Sequence, residues 1–417
     1  MAGAAVFAAL LPCGALPAHA GDGAPRVEPT AADGSRGAMQ AFLRGATGRE
    51  GYPGVVALAW RDGRTTFHGA FGHADLARTR PLREDAIFRL YSMTKPIASV
   101  AVLALVEDGR IALDAPLSRY LPGFAQPRVV VGGTVDAPLT KAAPSAPTIR
   151  QLLSHTSGIA ADGEQHPLAL ALLARARVED AADLADVARR LSTVPLAEAP
   201  GTHFHYEGAN TELLARVVEV ASGQRFSDFV ARRITGPLRM RETAFEVPPA
   251  WRARVVDLVT TGEDGRLRLA DTPSARMPGA RLRRYDSAAG GLYSTAGDYL
   301  RFARMLLGDG ALGRVRVLSP DSVALLRTDV LGARPGPAPG EGFGLGVGVL
   351  VDPAARDRRG PPGQFGWPGA ASTWFTVDPA QRRVAILLAQ YLPEGPADAR
   401  LPRLATHFQH LVYEATP

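Results

Sequence analysis

Lysine is nearly missing from this sequence of 417 residues, which carries 47 lysines and arginines together but has lysine only at positions 95 and 141. Arginine keeps its proton under physiological conditions, whereas a buried lysine can release it. The retention of Lys95 in a chain that otherwise uses arginine for its cations therefore indicates chemistry that arginine cannot perform.

Cysteine occurs once, at Cys13, inside the leader predicted below. A mature chain without that leader would have no disulfide bond and no thiol chemistry. Apolar runs of membrane-spanning length are also missing after the leader, because crossing a bilayer takes about 20 such residues. The sequence therefore predicts no membrane span.

The first 36 residues have the pattern of a targeting segment. An apolar stretch over residues 4–16 precedes Ala18-His19-Ala20, a small-x-small tripeptide typical of a cleavage site. We predict a signal peptide at residues 1–20 and a polar linker at residues 21–36. The expected location of the protein is therefore the periplasm or the exterior.

The net charge of +6 and the isoelectric point of about 9.7 come from arginines scattered along the chain. Short clusters at residues 281–284 and 356–359 are the exceptions, and no aromatic residues interleave them as in a nucleic-acid-binding face. We interpret the arginines as a solvated surface and expect a small molecule, rather than a nucleic acid, as the partner.

An apolar run at residues 97–106 predicts a buried helix that begins near Ser92, since Pro96 is tolerated only close to a helix start. Ser92 and Lys95 would then lie on one face of the first turn, three residues apart. A hydroxyl at the positive end of a helix dipole, with an amine beside it, is the arrangement of an activated serine nucleophile.

Hydrophobic periodicity predicts secondary structure around this helix. The predicted strands are residues 55–60, 65–71, 342–348, 374–377 and 384–390, and the predicted helices are residues 38–43, 148–158 (a short helix ending in a turn), 178–191, 210–222, 296–307 and 399–413. Helical patterns dominate the middle of the chain. We therefore predict a catalytic domain over residues 37–417, divided into an α/β lobe (37–115 and 277–417) and a mostly helical lobe (116–276).

Two histidine-containing segments carry competing interpretations. His155 follows a short helix without an evident carboxylate partner, which favours a structural histidine bonded to backbone. Further on, His203, His205 and Glu207 alternate along one face and could bind zinc, although no third histidine lies nearby in the sequence. Tyr206, between them, could instead serve as a base if a lysine lies close.

The motifs together resemble the serine β-lactamase and penicillin-binding-protein superfamily. Its three motifs correspond to Ser92-Met93-Thr94-Lys95, Tyr206 and Trp367-Pro368-Gly369. The segments FRLYSMTKPI, LLSHTSGI, GGLYSTAGDYLRF and FGWPGAASTWFTVDP are similar to the class C-like esterase branch, and the resemblance runs from about residue 52 to the C-terminus.

This resemblance implies an α+β fold, in which an antiparallel sheet built from both chain ends is flanked by N- and C-terminal helices and interrupted by a mostly helical lobe. It implies Ser92 as the nucleophile, with Lys95 and Tyr206 sharing its proton. The backbone N–H groups of Ser92 and Ala370 would form the oxyanion hole, because Pro368 has no N–H to donate. Which of Lys95 and Tyr206 is the general base stays open.

Two departures from the family pattern bear on the substrate. The family's third motif begins with a lysine that can hold a carboxylate, and Trp367 stands there instead. Its second motif is Tyr-x-Asn, and here Gly208 replaces the asparagine. A pocket formed by Trp367, Gly369 and Gly208 suits uncharged esters better than β-lactams.

We therefore predict a secreted serine esterase that works through an acyl-enzyme, without a metal or other cofactor. A β-lactamase or D-amino-acid peptidase is the alternative within the same superfamily. A non-catalytic module that binds cell-wall peptides and a zinc hydrolase using His203 and His205 are the alternatives from other classes.

Overall fold

A computed structural model describes residues 34–159, 165–393, 395, 398 and 400–415. The predicted signal peptide and most of the predicted linker lie outside these residues. The last three residues assigned to the linker, 34–36, are instead the first turn of a helix.

The bounds of the regular elements are as follows. The α-helices are α1 Gly34–Ala46, α2 Thr94–Glu107, α3 Ile149–Leu153, α4 Pro167–Arg175, α5 Leu184–Leu191, α6 Gly208–Ser222, α7 Phe226–Val230, α8 Pro273–Arg276, α9 Ala296–Leu307, α10 Pro320–Leu326 and α11 Leu404–Glu414. The strands are β1 Gly54–Arg61, β2 Arg64–Gly72, β3 Phe88–Arg89, β4 Arg128–Gly133, β5 Pro138–Ala142, β6 Val259–Thr261, β7 Leu267–Leu269, β8 Tyr293–Ser294, β9 Ala311–Leu312, β10 Val315–Arg316, β11 Glu341–Phe343, β12 Gly348–Leu350, β13 Phe365–Gly369, β14 Thr373–Asp378 and β15 Arg383–Leu388.

The main sheet has seven antiparallel strands in the order β11-β12-β13-β14-β15-β1-β2. The first strand of the chain therefore pairs with the last one, with Leu58 opposite Ile386. On its other side, Ile386 lies opposite Phe375 of β14. This confirms the prediction of an antiparallel sheet built from both chain ends.

Both faces of the sheet are covered because successive side chains of a strand point to opposite sides. In β1, Val55 and Ala57 pack in one apolar cluster with residues of α1 and α11. Val56 and Leu58 pack in the other cluster, with residues of α2 and α9. The N- and C-terminal helices α1 and α11 thus flank the sheet, as predicted. Both lie on one face, and α2 lies on the other.

Helix α2 is buried from Thr94 to Leu105, in agreement with its apolar sequence, and contacts α6 of the helical region. The chain leaves it at Gly109, whose φ of 69° is the left-handed conformation that glycine adopts easily. In the described part of the chain, no helix is both long enough and apolar enough to pass through a bilayer.

The predicted single helix at residues 178–191 is wrong. The structure has a short 3₁₀ turn at Val178–Asp180 and a separate helix, α5. Asp183 has an extended backbone, and its side chain accepts a hydrogen bond from the Asp186 N–H at 2.7 Å. Because this cap starts a new helix, no helix continues through residues 181–183, although the apolar spacing does.

The prediction of one continuous strand at residues 342–348 is also wrong, since residues 342–343 end β11, residues 344–347 form the hairpin turn and residue 348 begins β12. Gly346 has a φ of 91°, which ends the extended conformation. Gly346 also lies very close to α2. A Cβ at Gly346 would lie 1.9 Å from the Ser99 hydroxyl oxygen of α2.

Candidate active site

Ser92 lies in a 3₁₀ turn, Tyr91–Met93, that leads directly into α2. The residue before it, Tyr91, has a φ of 47°, which is uncommon for a residue with a side chain. Burial raises the pKa of the Tyr91 phenol to about 12, so its ring serves packing rather than proton transfer. A strained turn that presents one hydroxyl at a helix start is typical of a functional position.

Lys95 is buried in the first turn of α2, as its spacing from Ser92 predicted. Its Nζ donates to the Ser92 hydroxyl oxygen at 3.1 Å and to the Ala289 carbonyl at 2.7 Å. The amine is therefore held in direct contact with the hydroxyl by a second, fixed acceptor. An arginine head group is planar and larger, and it could not take the same position.

Tyr206 ends the extended segment before α6, and its ring covers the lysine. The Lys95 Nζ lies 4.8 Å from the ring centroid. The phenolic oxygen of Tyr206 accepts a hydrogen bond from the Trp367 indole N–H at 2.8 Å. Trp367 is only 4% exposed. Trp367, which we expected to line the substrate pocket, is thus chiefly a buried partner of Tyr206.

The end of β13 packs against Leu90, the residue before the 3₁₀ turn that contains Ser92. A Cβ at Gly369 would lie 2.3 Å from the Leu90 carbonyl oxygen, and Thr373 donates to that same oxygen at 3.1 Å. Ala370 follows on the exposed side of this contact. Among the residues that the structure describes, the N–H groups of Ser92 and Ala370 have no acceptor within the chain. Both donors are available to a bound oxygen.

Gly208 is buried at the start of α6 and offers no side-chain amide. The amide of Asn210, two residues further on, does not replace it. Its oxygen accepts from the Ser157 hydroxyl and its nitrogen donates to the Ile159 carbonyl. The asparagine therefore secures a neighbouring turn, and the departure from the Tyr-x-Asn pattern is real in three dimensions.

His155 is a structural residue, as the sequence indicated. Its φ of 54° places it in the turn after α3, and its Nδ1 accepts from the Glu207 N–H at 3.1 Å. Burial, and after it the charge of Lys95, lowers the pKa of His155 well below its usual range. The uncharged ring packs 4.7 Å from the Tyr206 ring, between centroids, and supports it from behind.

The alternative interpretation of His203, His205 and Glu207 as metal ligands is wrong in its carboxylate. The Glu207 Oε1 accepts from the Ala209 N–H at 3.1 Å and caps α6. His203 and His205 instead contact Glu198, which the sequence reasoning did not single out. Alternation correctly placed the two imidazoles near one another, but it could not identify Glu198, which lies earlier in the same connection between α5 and α6 and reaches them only because the chain folds back.

Glu212 was also missed, although it touches the segment that holds Lys95. Its carboxyl oxygens accept from the Ser287 hydroxyl at 2.5 Å and from the Ala288 N–H at 2.9 Å, next to the Ala289 carbonyl that binds Lys95. Burial raises the pKa of Glu212 to about 7. A carboxylate among the apolar positions of the amphipathic helix at residues 210–222 was the available signal.

Comparison with known proteins places these residues in a family. Residues 39–409 match the family described as Beta-lactamase. Esterase EstB of Burkholderia gladioli is 34% identical over 371 residues, which cover 82% of this chain and 87% of that protein. Protein Rv1367c of Mycobacterium tuberculosis (strain ATCC 25618 / H37Rv) is 34% identical over 365 residues, which cover 83% of this chain and 88% of that protein.

Among solved structures, the chain is similar to EstCE1, described as a hydrolase with promiscuous acyltransferase activity. The TM-score is 0.72 at 23% sequence identity, with 90% of this chain and 97% of that chain covered. At this identity the likeness establishes the fold, which is the β-lactamase/transpeptidase-like fold that the motifs implied.

Proposed function

Because the chain belongs to the Beta-lactamase family, we propose that it is a serine hydrolase that cleaves carboxylic esters through a covalent acyl-enzyme on Ser92. The observation that carries this proposal is the 3.1 Å contact between the Ser92 hydroxyl oxygen and the Lys95 Nζ in a buried setting. The name of the relative EstB, an esterase, supports the substrate class.

In the proposed acylation, the Ser92 hydroxyl oxygen attacks the ester carbonyl carbon and passes its proton to the amine nitrogen of Lys95. Of the two candidate bases, Lys95 is the one in contact with Ser92, which favours it for this step. The negative charge that develops on the carbonyl oxygen is stabilised by the N–H groups of Ser92 and Ala370.

Collapse of the tetrahedral intermediate expels the alcohol, which needs a proton. The Tyr206 oxygen already accepts from Trp367, so its own O–H is available to protonate the leaving oxygen. The ammonium of Lys95 then returns a proton to the phenolate of Tyr206. Water attacks the acyl-enzyme by the reverse path, which releases the acid and restores Ser92, Lys95 and Tyr206.

Substrate choice follows from the two departures from the family pattern. Trp367 brings no cation to hold a carboxylate, and Gly208 brings no amide. A hydrogen bond to a charged group contributes roughly 1.5–3 kcal/mol, so losing the cation alone costs about tenfold or more in the turnover of penicillins and cephalosporins. Uncharged esters should therefore be better substrates than β-lactams or peptides of D-amino acids. This disfavours the β-lactamase and D-amino-acid peptidase alternatives. The class C-like esterase branch is the proposed position within the family.

The leader pattern at residues 1–20 supports the further proposal that the enzyme is exported. The non-catalytic alternative is disfavoured because Ser92, Lys95 and Tyr206 are all present. The Lys95 Nζ binds the Ser92 hydroxyl oxygen and lies over the Tyr206 ring.

The test is hydrolysis of short p-nitrophenyl esters by the wild type and by Ser92→Ala, together with intact mass after exposure to a fluorophosphonate and, separately, to a penicillin. Ser92→Ala should abolish hydrolysis and labelling while thermal unfolding stays close to that of the wild type. Ser99→Ala, in the same helix, is the matched control and should keep both. Activity of Ser92→Ala within a few-fold of the wild type would overturn the nucleophile, and a cephalosporin hydrolysed as fast as the best ester would overturn the substrate class.

A further inference from the structure

Three imidazoles meet one carboxylate beside the active site. The His205 Nε2 lies 2.5 Å and the His166 Nε2 lies 3.3 Å from the same oxygen of Glu198, Oε1. The His203 Nδ1 contacts the other oxygen, to which Thr202 also donates. The ester mechanism uses none of these groups.

The fold assembles this cluster from two places in the chain. His166 immediately precedes α4, whereas Glu198 and His205 lie seven residues apart in the connection between α5 and α6. The side chains of His166, Glu198 and His205 are only 21%, 12% and 13% exposed. Tertiary folding, and not a local sequence motif, therefore brings His166 to Glu198 and His205, and all three donors are partly buried.

The donor atoms of His166, Glu198 and His205 all lie within 4.8 Å of one another. A tetrahedral zinc ion with bonds of about 2.0–2.2 Å needs its ligand atoms roughly 3.4 Å apart, which small rotations of these side chains would reach. Two imidazole nitrogens and a carboxylate oxygen suit zinc and its first-row neighbours, whereas calcium and magnesium prefer sites made of oxygen alone.

We propose that His166, Glu198 and His205 bind one zinc ion, with water completing the tetrahedron, and that this ion fastens the segment carrying Tyr206 to the start of α4. His205 immediately precedes Tyr206, and its N–H also binds the His155 carbonyl at 2.9 Å. An ion at this place would restrain the backbone of Tyr206 without touching Ser92 or Lys95. The proposal does not depend on ester hydrolysis, because the site is defined by its own donors.

The experiment uses the full chain without an affinity tag, freed of metal with a chelator and dialysed. Zinc chloride is titrated by isothermal calorimetry, and thermal unfolding is measured with and without zinc. We expect one zinc ion per chain and a higher unfolding temperature with zinc, because a ligand that binds only the folded state stabilises it. Glu198→Gln and His166→Ala should each weaken zinc binding by at least about tenfold.

The matched control is His68→Ala, since His68 also pairs with a single carboxylate, Glu84, at 3.2 Å but outside the cluster. It should bind zinc as the wild type does. The proposal is overturned if the wild type binds less than half an equivalent, or if Glu198→Gln and His166→Ala bind zinc as tightly as the wild type. Equal weakening by His68→Ala would show non-specific binding and overturn it as well. If a variant does not fold, cobalt replaces zinc in the wild type, and absence of the visible absorption of tetrahedral cobalt counts against the site.

Discussion

The indole N–H of Trp367 donates a hydrogen bond to the phenolic oxygen of Tyr206 at 2.8 Å. The two rings also pack, with their centroids 5.0 Å apart. The third motif of this chain thus supports the second motif directly. A lysine in place of Trp367 would bring a cation but no indole N–H or ring to Tyr206, so the exchange changes both the charge that the site offers to a substrate and the contacts that orient its tyrosine.

The first prediction concerns this contact. Trp367→Phe keeps an aromatic ring but removes the donor, so Tyr206 loses the group that orients its hydroxyl. One such hydrogen bond contributes about 0.5–1.5 kcal/mol, which corresponds to a loss of roughly two- to tenfold in kcat for ester hydrolysis with little change in KM. Steady-state kinetics on p-nitrophenyl butyrate measure both constants.

The control for that variant is Trp374→Phe. Trp374 is a buried tryptophan of the neighbouring strand, but it belongs to the cluster on the other face of the sheet, with α1 and α11. It should lower thermal stability without a selective loss of kcat. An equal fall of kcat in both variants would show that general packing, and not the bond to Tyr206, was responsible.

The second prediction is that Lys95→Arg inactivates the enzyme nearly as fully as Ser92→Ala. Arginine stays protonated and cannot accept the serine proton, and its head group does not fit between Ser92 and the Ala289 carbonyl. General base catalysis typically contributes roughly 10²- to 10⁴-fold, and we expect a loss of that size in kcat/KM.

Lys141→Arg is a convenient control because Lys141 is the chain's other lysine and lies exposed in β5. It should leave ester hydrolysis unchanged. A folded Lys95→Arg protein with a near-normal rate would mean that position 95 supplies only positive charge, and the proposed proton transfer would then be wrong.

The third prediction is a pH dependence of stability from Glu212. Burial raises its pKa from 4.5 to about 7 in the folded state, so between these values the folded protein holds a proton that the unfolded chain has released. The resulting stabilisation is fully present below about pH 4.5 and is lost as the pH rises through about 7. The difference between the pKa values of Glu212 in the unfolded and the folded protein corresponds to about 3 kcal/mol in the free energy of unfolding.

Glu212→Gln mimics the protonated carboxyl and should flatten this dependence. Urea unfolding of the wild type and the variant at pH 5 and pH 8 gives the comparison. The variant should gain stability relative to the wild type at pH 8. Glu219→Gln, in the same helix but paired with Arg216 at 2.9 Å, should not produce that gain. If the free energy of unfolding of Glu212→Gln changed between pH 5 and pH 8 as much as that of the wild type, the raised pKa of Glu212 would be contradicted.

The fourth prediction concerns Gly369, at the end of β13. In Gly369→Ala the new methyl group would lie 2.1 Å from the Thr373 hydroxyl oxygen and 2.3 Å from the Leu90 carbonyl oxygen, so the strand must shift. Overpacking of this kind costs about 1–3 kcal/mol in stability. Displacing the Ala370 N–H by about 1 Å should also lower kcat roughly 10²-fold.

Thermal unfolding and ester kinetics on the same preparation test this pair of effects. Gly45→Ala in α1 is the control, since a Cβ there meets nothing within 4 Å. It should keep full activity and be no less stable than the wild type. Full activity in Gly369→Ala would show that the close approach of β13 to Leu90 does not position the oxyanion donors.

Much of this protein was predictable from local sequence. The apolar run after Lys95 predicted a buried helix, and short strand-like runs joined by turn residues predicted β1, β2, β14 and β15. The three-residue spacing of Ser92 and Lys95 predicted their contact, because helical geometry alone brings such residues together. Where a cap at Asp183 or a left-handed glycine at Gly346 interrupts a pattern, periodicity misled, since neither feature changes the apolar spacing.

Only the tertiary structure decided which distant groups meet. The bond from Trp367 to Tyr206, the bracing of the Ala289 segment by Glu212, and the meeting of His166 with Glu198 all join residues far apart in the chain. No periodicity encodes such contacts, because they depend on how strands and helices stack once the apolar faces are buried. The sequence alone therefore determined the contact between Ser92 and Lys95, whereas the packing of the sheet against the helical region determined what surrounds them.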